Sequence, residues 1–144
     1  MRLLHVLLAC ALLAAPISVR AGTITEATLY KTPWCGCCGE YGNYLEQHGF
    51  KVRIEEREDL APIKRAAGVP PALEGCHTLA VGGYVVEGHV PVEILLRLLR
   101  ERPDIRGVSL PGMPAGSPGM GGEKKEPFTI YEISDGAPKA YAVD

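Results

Sequence analysis

The sequence predicts an α/β fold with a mixed sheet flanked by helices, and three observations carry that prediction. Strand-like and helix-like segments alternate through the first half, Gly82-Gly83 separates two short apolar runs, and a helix with an apolar stripe follows Pro91. The alternation predicts parallel pairing of the first two strands, and the glycine pair predicts an antiparallel hairpin.

Each element follows from local chemistry. Residues 27–32 (ATLYKT) read as a strand. A tight loop, Pro33-Trp34-Cys35-Gly36-Cys37-Cys38-Gly39, leads into a helix with Tyr41, Tyr44, Leu45 and His48 on one face and Gly49 as its stop. His48, near that helix's C-terminus, reads as structural. Phe50, Val52 and Ile54 alternate with charged residues as a second strand. Asp59 suits the cap of a short helix through Ile63, Ala66 and Ala67 that ends at Gly68. Thr78 to Val81 and Tyr84 to Glu87 form the hairpin, and the last helix places Val92, Leu95, Leu96 and Leu99 on one face before Pro103. The order β-α-β-α-β-β-α is that of a thioredoxin-like fold, with the cysteine loop after the first strand, where such folds carry their active site.

The chain divides into three parts. Residues 1–21 read as a cleaved secretory signal: Arg2, an apolar run from Leu3 to Ala15, then Val19-Arg20-Ala21 as a cleavage site. Cys10 lies inside the apolar run and reads as an ordinary signal residue, with lipid attachment as the alternative. Residues 22–106 are the thioredoxin-like domain. Residues 107–144 are expected to form an arm and tail: residues 107–122 (GVSLPGMPAGSPGMGG) show no periodicity and read as a loop, and Phe128 to Ile133 read as one further, edge strand before a frayed end. The implied location is the periplasm, with no membrane span. Cleavage removes Arg2 and Arg20 and takes the net charge from −2 to −4. No basic tract remains, which argues against nucleic acid or anionic membrane as partners.

Four cysteines stay in the mature part: Cys35, Cys37, Cys38 and Cys76. Outside the cell the base expectation is two disulfides, and a Cys35–Cys38 bridge or a bridge to Cys76 is the plain alternative to any functional reading. Three thiols within four residues at a helix N-terminus favour soft-metal binding instead, because the helix dipole stabilises thiolate and neighbouring cysteines pair only with strain. In a thioredoxin-like fold the loop Gly75-Cys76-His77 faces that cluster, and His89, between hairpin and last helix, adds an imidazole. Met113 and Met120 recur in similar Pro-Gly-Met and Gly-Met settings; as thioethers they suit Cu(I), and otherwise they fill gaps against the surface. Zinc and Cu(I) both accept cysteine and histidine, while methionine favours copper.

These segments resemble a known family. Trp34-Cys35-Gly36-Cys37-Cys38-Gly39, Gly75-Cys76-His77-Thr78, residues 83–91 (GYVVEGHVP), residues 110–114 (LPGMP) and residues 116–120 (GSPGM) are similar, in that order, to the CopG-like periplasmic copper-resistance proteins. The resemblance covers about Thr28 to Met120. It implies a cysteine-bridged multinuclear copper site, copper tolerance, and redox cycling between Cu(I) and Cu(II), with envelope copper-handling or redox proteins as partners. It carries over Cys35, Cys37, Cys38 and Cys76 as sulfur ligands, His77 and His89 as further ligands, and Met113 and Met120 as matching positions. The competing function is a thiol–disulfide oxidoreductase that uses the Cys35–Cys38 pair.

Overall fold

A computed structural model describes residues 25–144. The expected signal segment, with Cys10, lies outside the described residues. Eleven segments of regular structure follow one another: β1 (Thr25–Lys31), α1 (Gly36–Gln47), β2 (Phe50–Glu56), α2 (Ala61–Ala66), a 3-10 turn (Pro71–Leu73), β3 (Thr78–Val81), β4 (Tyr84–Glu87), α3 (Val92–Glu101), β5 (Gly107–Ser109), β6 (Thr129–Ile133) and β7 (Ala140–Val143). The strands form one open mixed sheet in the order β2-β1-β3-β4-β5-β6-β7. β1 pairs parallel with β2, and β3 and β4 form the antiparallel hairpin, with Thr78 opposite Glu87 and Leu79 opposite Val86. The expected β-α-β-α-β-β-α order is therefore present in the first part of the chain.

α1 lies against β1 and β2. Gly42 faces Leu29, Ile54 and Val52 across this contact, at distances a Cβ would fill as ordinary packing. Leu29, Tyr41, Leu45, Leu79, Val86, Leu95, Leu98, Val108 and Ile130 are buried in one core. Burying a side chain of Leu95's size contributes roughly 1.5–3 kcal/mol. α3 turns a slightly different face inward from the one its sequence suggests: Ile94 and Leu98 are buried with Val92 and Leu95, while Leu96 is exposed. Leu96 lies between Glu93 and Arg100, three and four residues away on the charged side of the helix, which explains the rotation.

Three expectations about the C-terminal part are corrected. Residues 107–122 are not loop throughout, because Gly107–Ser109 is strand β5, buried in the sheet and parallel to β4. Phe128–Ile133 does contain a strand, but β6 is flanked on both sides, by β5 and β7. The end of the chain is held as well: the Phe128 and Asp144 backbones exchange two hydrogen bonds of 2.9 Å. A three-residue strand is too short to show a period, and β7 recruits its pairing from β6 rather than from its own sequence. Among the described residues, no helix is long and apolar enough to cross a membrane.

Candidate metal centre

The cysteine loop is set by the turn out of β1. Cys35 N–H donates to the Thr32 carbonyl at 3.1 Å, and Cys35 then serves as the N-cap of α1 in an extended conformation. Cys37 and Cys38 thus fall in the first helical turn, where unpaired backbone N–H groups favour negative charge. Trp34, just ahead of them, is 72% exposed. Cys35 and Cys38 are joined as a disulfide, with their Cα atoms 5.4 Å apart. Cys37 and Cys76 are free thiols. Cys37 Sγ lies 3.6 Å from Cys35 Sγ, and Cys76 Sγ lies 3.6 Å from Cys38 Sγ. The sulfurs of Cys35, Cys37, Cys38 and Cys76 all stand within 4.8 Å of one another.

Cys76 and His77 arrive from the loop before β3, and His89 from the loop after β4. These loops cross at Gly75 and Gly88. A Cβ on Gly75 would lie 2.7 Å from Gly88 Cα, so only glycine permits the approach. The crossing brings the His77 and His89 rings to 4.8 Å between centroids. Cys76 Sγ is 3.1 Å from His89 Nε2 and 3.5 Å from His77 Nδ1. Tyr41 of α1 packs against both imidazoles, with centroids 4.7 Å and 5.3 Å away, and its hydroxyl donates to the Val90 carbonyl at 2.9 Å. The donor atoms of Cys38, Cys76, His77 and His89 form a second group within 4.8 Å. Two donor quartets therefore overlap, sharing Cys38 and Cys76: one all sulfur, the other two sulfurs and two nitrogens.

Burial sets the protonation of this site. Removal from water and the neighbouring Cys37 push the Cys76 thiol up to about 12. Burial, His89 and Lys64 hold His77 well below the usual imidazole range. Burial also lowers His89, against an opposing pull from the Pro118 carbonyl. At neutral pH the metal-free site therefore holds a protonated Cys76 beside two neutral imidazoles. His89 Nδ1 lies 2.6 Å from the Pro118 carbonyl, which can only accept, so Nδ1 carries the proton and Nε2 turns its lone pair toward Cys76. His77 Nε2 is buried without a hydrogen-bond partner among the described residues. A soft donor set with neutral imidazoles and an unpartnered buried nitrogen fits a soft or borderline metal ion.

The arm between β5 and β6 closes over this region. Pro118 supplies the carbonyl to His89, and Ser117 is buried, its hydroxyl donating to the Pro114 carbonyl at 2.7 Å. Gly119, at φ +78°, sits so close to α1 that a Cβ would lie 2.6 Å from Tyr41 N and 3.0 Å from the Cys37 carbonyl. Of the two arm methionines, Met113 is 57% exposed and Met120 is half-buried. The structure thus gathers Cys35, Cys37, Cys38, Cys76, His77 and His89 and leaves Met113 facing solvent.

Sequence reasoning did not find Tyr41 as the floor of the site, nor the Pro118 carbonyl as the partner of His89. It also missed a buried network behind the Cys76–His77 loop. Glu87 accepts from Lys64 Nζ, from the Thr78 hydroxyl and, at 2.9 Å, from Gly75 N–H. The available signal was a lone carboxylate closing an apolar hairpin strand, directly opposite Thr78.

Comparison with known proteins agrees with this geometry. Residues 73–120, which include Cys76, His77, His89 and both arm methionines, match a family described as a protein of unknown function, DUF411. No curated protein matches the chain. Among solved structures, copper resistance protein CopG in its form 2 is similar, with 36% identity, a TM-score of 0.77, and coverage of 84% of this chain and 98% of that one. Form 1 of the same protein gives 36% identity, a TM-score of 0.76, and coverage of 83% and 96%. With more than a third of residues identical over nearly the full length of CopG, this chain belongs to the CopG family.

Proposed function

We propose that this protein is exported to the periplasm and binds copper there through the Cys/His cluster, in copper tolerance. The observation that supports this most directly is the pair of overlapping donor quartets joined at Cys38 and Cys76. Sulfurs shared between two donor sets suit bridging of several ions better than chelation of one. Cys35, Cys37, Cys38, Cys76, His77 and His89 are the proposed ligands, with Met113 and Met120 of the arm as additional soft donors. Full use of the four sulfurs requires the Cys35–Cys38 disulfide to be reduced first. Copper bound to such a site supplies one-electron chemistry between Cu(I) and Cu(II). The chain's own part is to hold Cys76 and both imidazoles neutral until metal displaces the thiol proton, and to exclude water with Tyr41 and the arm. Other envelope copper-handling or redox proteins are the proposed partners.

The test is elemental analysis of the reduced protein after anaerobic loading with Cu(I), alongside a free-thiol count. The expected result is more than one copper ion per chain, lost together in Cys38→Ser and weakened as badly in Cys37→Ser as in Cys35→Ser. Unchanged copper stoichiometry and affinity in Cys37→Ser and Cys38→Ser would falsify the reading. The disulfide at the head of α1 favours a second reading, a thiol–disulfide oxidoreductase. That reading predicts reduction of insulin by the metal-free dithiol form, and its absence rejects it.

A further inference from the structure

We propose that Glu87, acting with Lys64 and Thr78, is a positioning residue that fixes the Cys76–His77 side of the site; the proposal rests on the reading of that site as a metal centre. Glu87 is fully buried at the end of β4. Its Oε1 accepts from Thr78, and its Oε2 accepts from Lys64 and from Gly75 N–H. Lys64 reaches in from α2 and also donates to Thr78 Oγ1 at 3.2 Å. One carboxylate therefore grips residues 75 and 78, the two positions that bracket Cys76 and His77. The backbone holds Thr78 in the sheet, opposite Tyr30 and Glu87, but alongside the Cys76–His77 segment itself the bond from Gly88 N–H to the His77 carbonyl is long, at 3.4 Å.

A buried ion pair is a poor investment for stability alone, since apolar replacement of both partners is often neutral or stabilising by about 1–4 kcal/mol. A loop that must hold a sulfur 3.6 Å from Cys38 and 3.1 Å from His89 gives the pair a different use. Outer-shell groups of this kind fix the direction of the ligands, and their loss typically lowers metal affinity about 10–100-fold.

The test separates position from stability with two double variants. Lys64→Met with Glu87→Leu removes the charge pair and the grip on Gly75. Lys64→Met with Glu87→Gln removes the charges but keeps a carbonyl for Gly75 N–H and an amide for Thr78. Each is reduced, loaded with Cu(I) under argon, and titrated against bathocuproine disulfonate, while thermal unfolding is followed on the metal-free form. The leucine pair is expected to stay folded, the gain from removing two buried charges offset by the Thr78 hydroxyl and Gly75 N–H left unpaired, yet to bind Cu(I) about 10–100-fold more weakly, with altered thiolate-to-copper absorption. The glutamine pair is expected to return to within about threefold of wild type, because the grip on the loop survives. Wild-type affinity and absorption in the leucine pair overturn the proposal. Should the leucine pair not fold, Thr78→Val removes one side of the grip at constant shape, and unchanged affinity there overturns the proposal equally. Should the wild-type protein retain no Cu(I), the metal reading is what fails. Hydrogen exchange at the Gly75 amide in the metal-free protein then decides on the grip: it is expected to be faster in the leucine pair and normal in the glutamine pair, and equal exchange in all three forms overturns it.

Discussion

Replacing Gly119 with alanine tests whether the arm governs the site, because this position touches the centre without contributing a side chain to it. Two costs arise. The backbone sits at φ +78°, where an L-residue is disfavoured by roughly 1–2 kcal/mol. The new methyl would also stand 2.6 Å from Tyr41 N and 3.0 Å from the Cys37 carbonyl, both on the backbone of α1 and unable to yield. The arm must therefore lift, and lifting breaks the 2.6 Å bond from His89 Nδ1 to the Pro118 carbonyl. Leaving that buried donor unmatched costs about 1–3 kcal/mol. Freed of its partner, His89 can present either nitrogen to Cys76, so the loss falls on metal binding as much as on folding. Expected are a fall in metal-free stability of about 2–5 kcal/mol and a Cu(I) affinity lowered about 10–100-fold. Chelator competition and limited proteolysis of the arm read the two effects. Gly121→Ala is the control, since a Cβ there meets nothing within 4 Å and it should behave as wild type. Wild-type affinity and an uncleaved arm in Gly119→Ala would refute the account of the arm.

The remaining predictions concern protons and packing. His77 and His89 are held neutral in the fold, so the unfolded chain binds more protons near and below the ordinary value of 6.5. Their contribution is thus fully present above that value and is lost as pH falls below it; metal-free stability should decline on acidification, and more weakly in His77→Gln, as denaturant titrations at several pH values would show. Cys76, pushed up to about 12, must give up its proton to bind metal. Apparent Cu(I) affinity should therefore rise with pH across the neutral range, by about tenfold per unit for each proton displaced, and a flat profile would contradict the protonated thiol. Tyr41→Phe leaves the Val90 carbonyl without the hydroxyl that donates to it at 2.9 Å. It should cost about 1–3 kcal/mol in thermal or chemical unfolding while leaving the ring that supports both imidazoles in place.

Legibility in the sequence followed the range of the interactions. The hairpin was readable because Gly82-Gly83 sits between two apolar runs, and the cysteine cluster because its thiols are neighbours along the chain. The convergence of Cys76, His77 and His89 was readable only through the expected element order. What escaped detection has no local signature. Strand β5 is three residues long, and β7 is held by pairing with β6. The Pro118 carbonyl is a backbone atom like any other until the arm folds back on His89. Lys64 and Glu87 are ordinary charged residues in sequence, 23 positions apart, and become a buried pair only once Lys64 reaches in from α2 to the end of β4. The Cys35–Cys38 disulfide was among the readable pairings, but its competition with metal binding depends on the redox state of the surroundings rather than on the residues.

Trp34 gives the centre an optical handle. It is the single tryptophan of the chain, it is exposed, and it adjoins Cys35. Disulfides and bound copper both quench indole emission at short range, so the tryptophan emission of the unlabelled protein, excited apart from its six tyrosines, is a signal from the mouth of the cluster. Reduction of the bridge and arrival of metal should move that signal in opposite directions, brightening and then dimming it. The order of the two events can thus be followed in real time on the native chain.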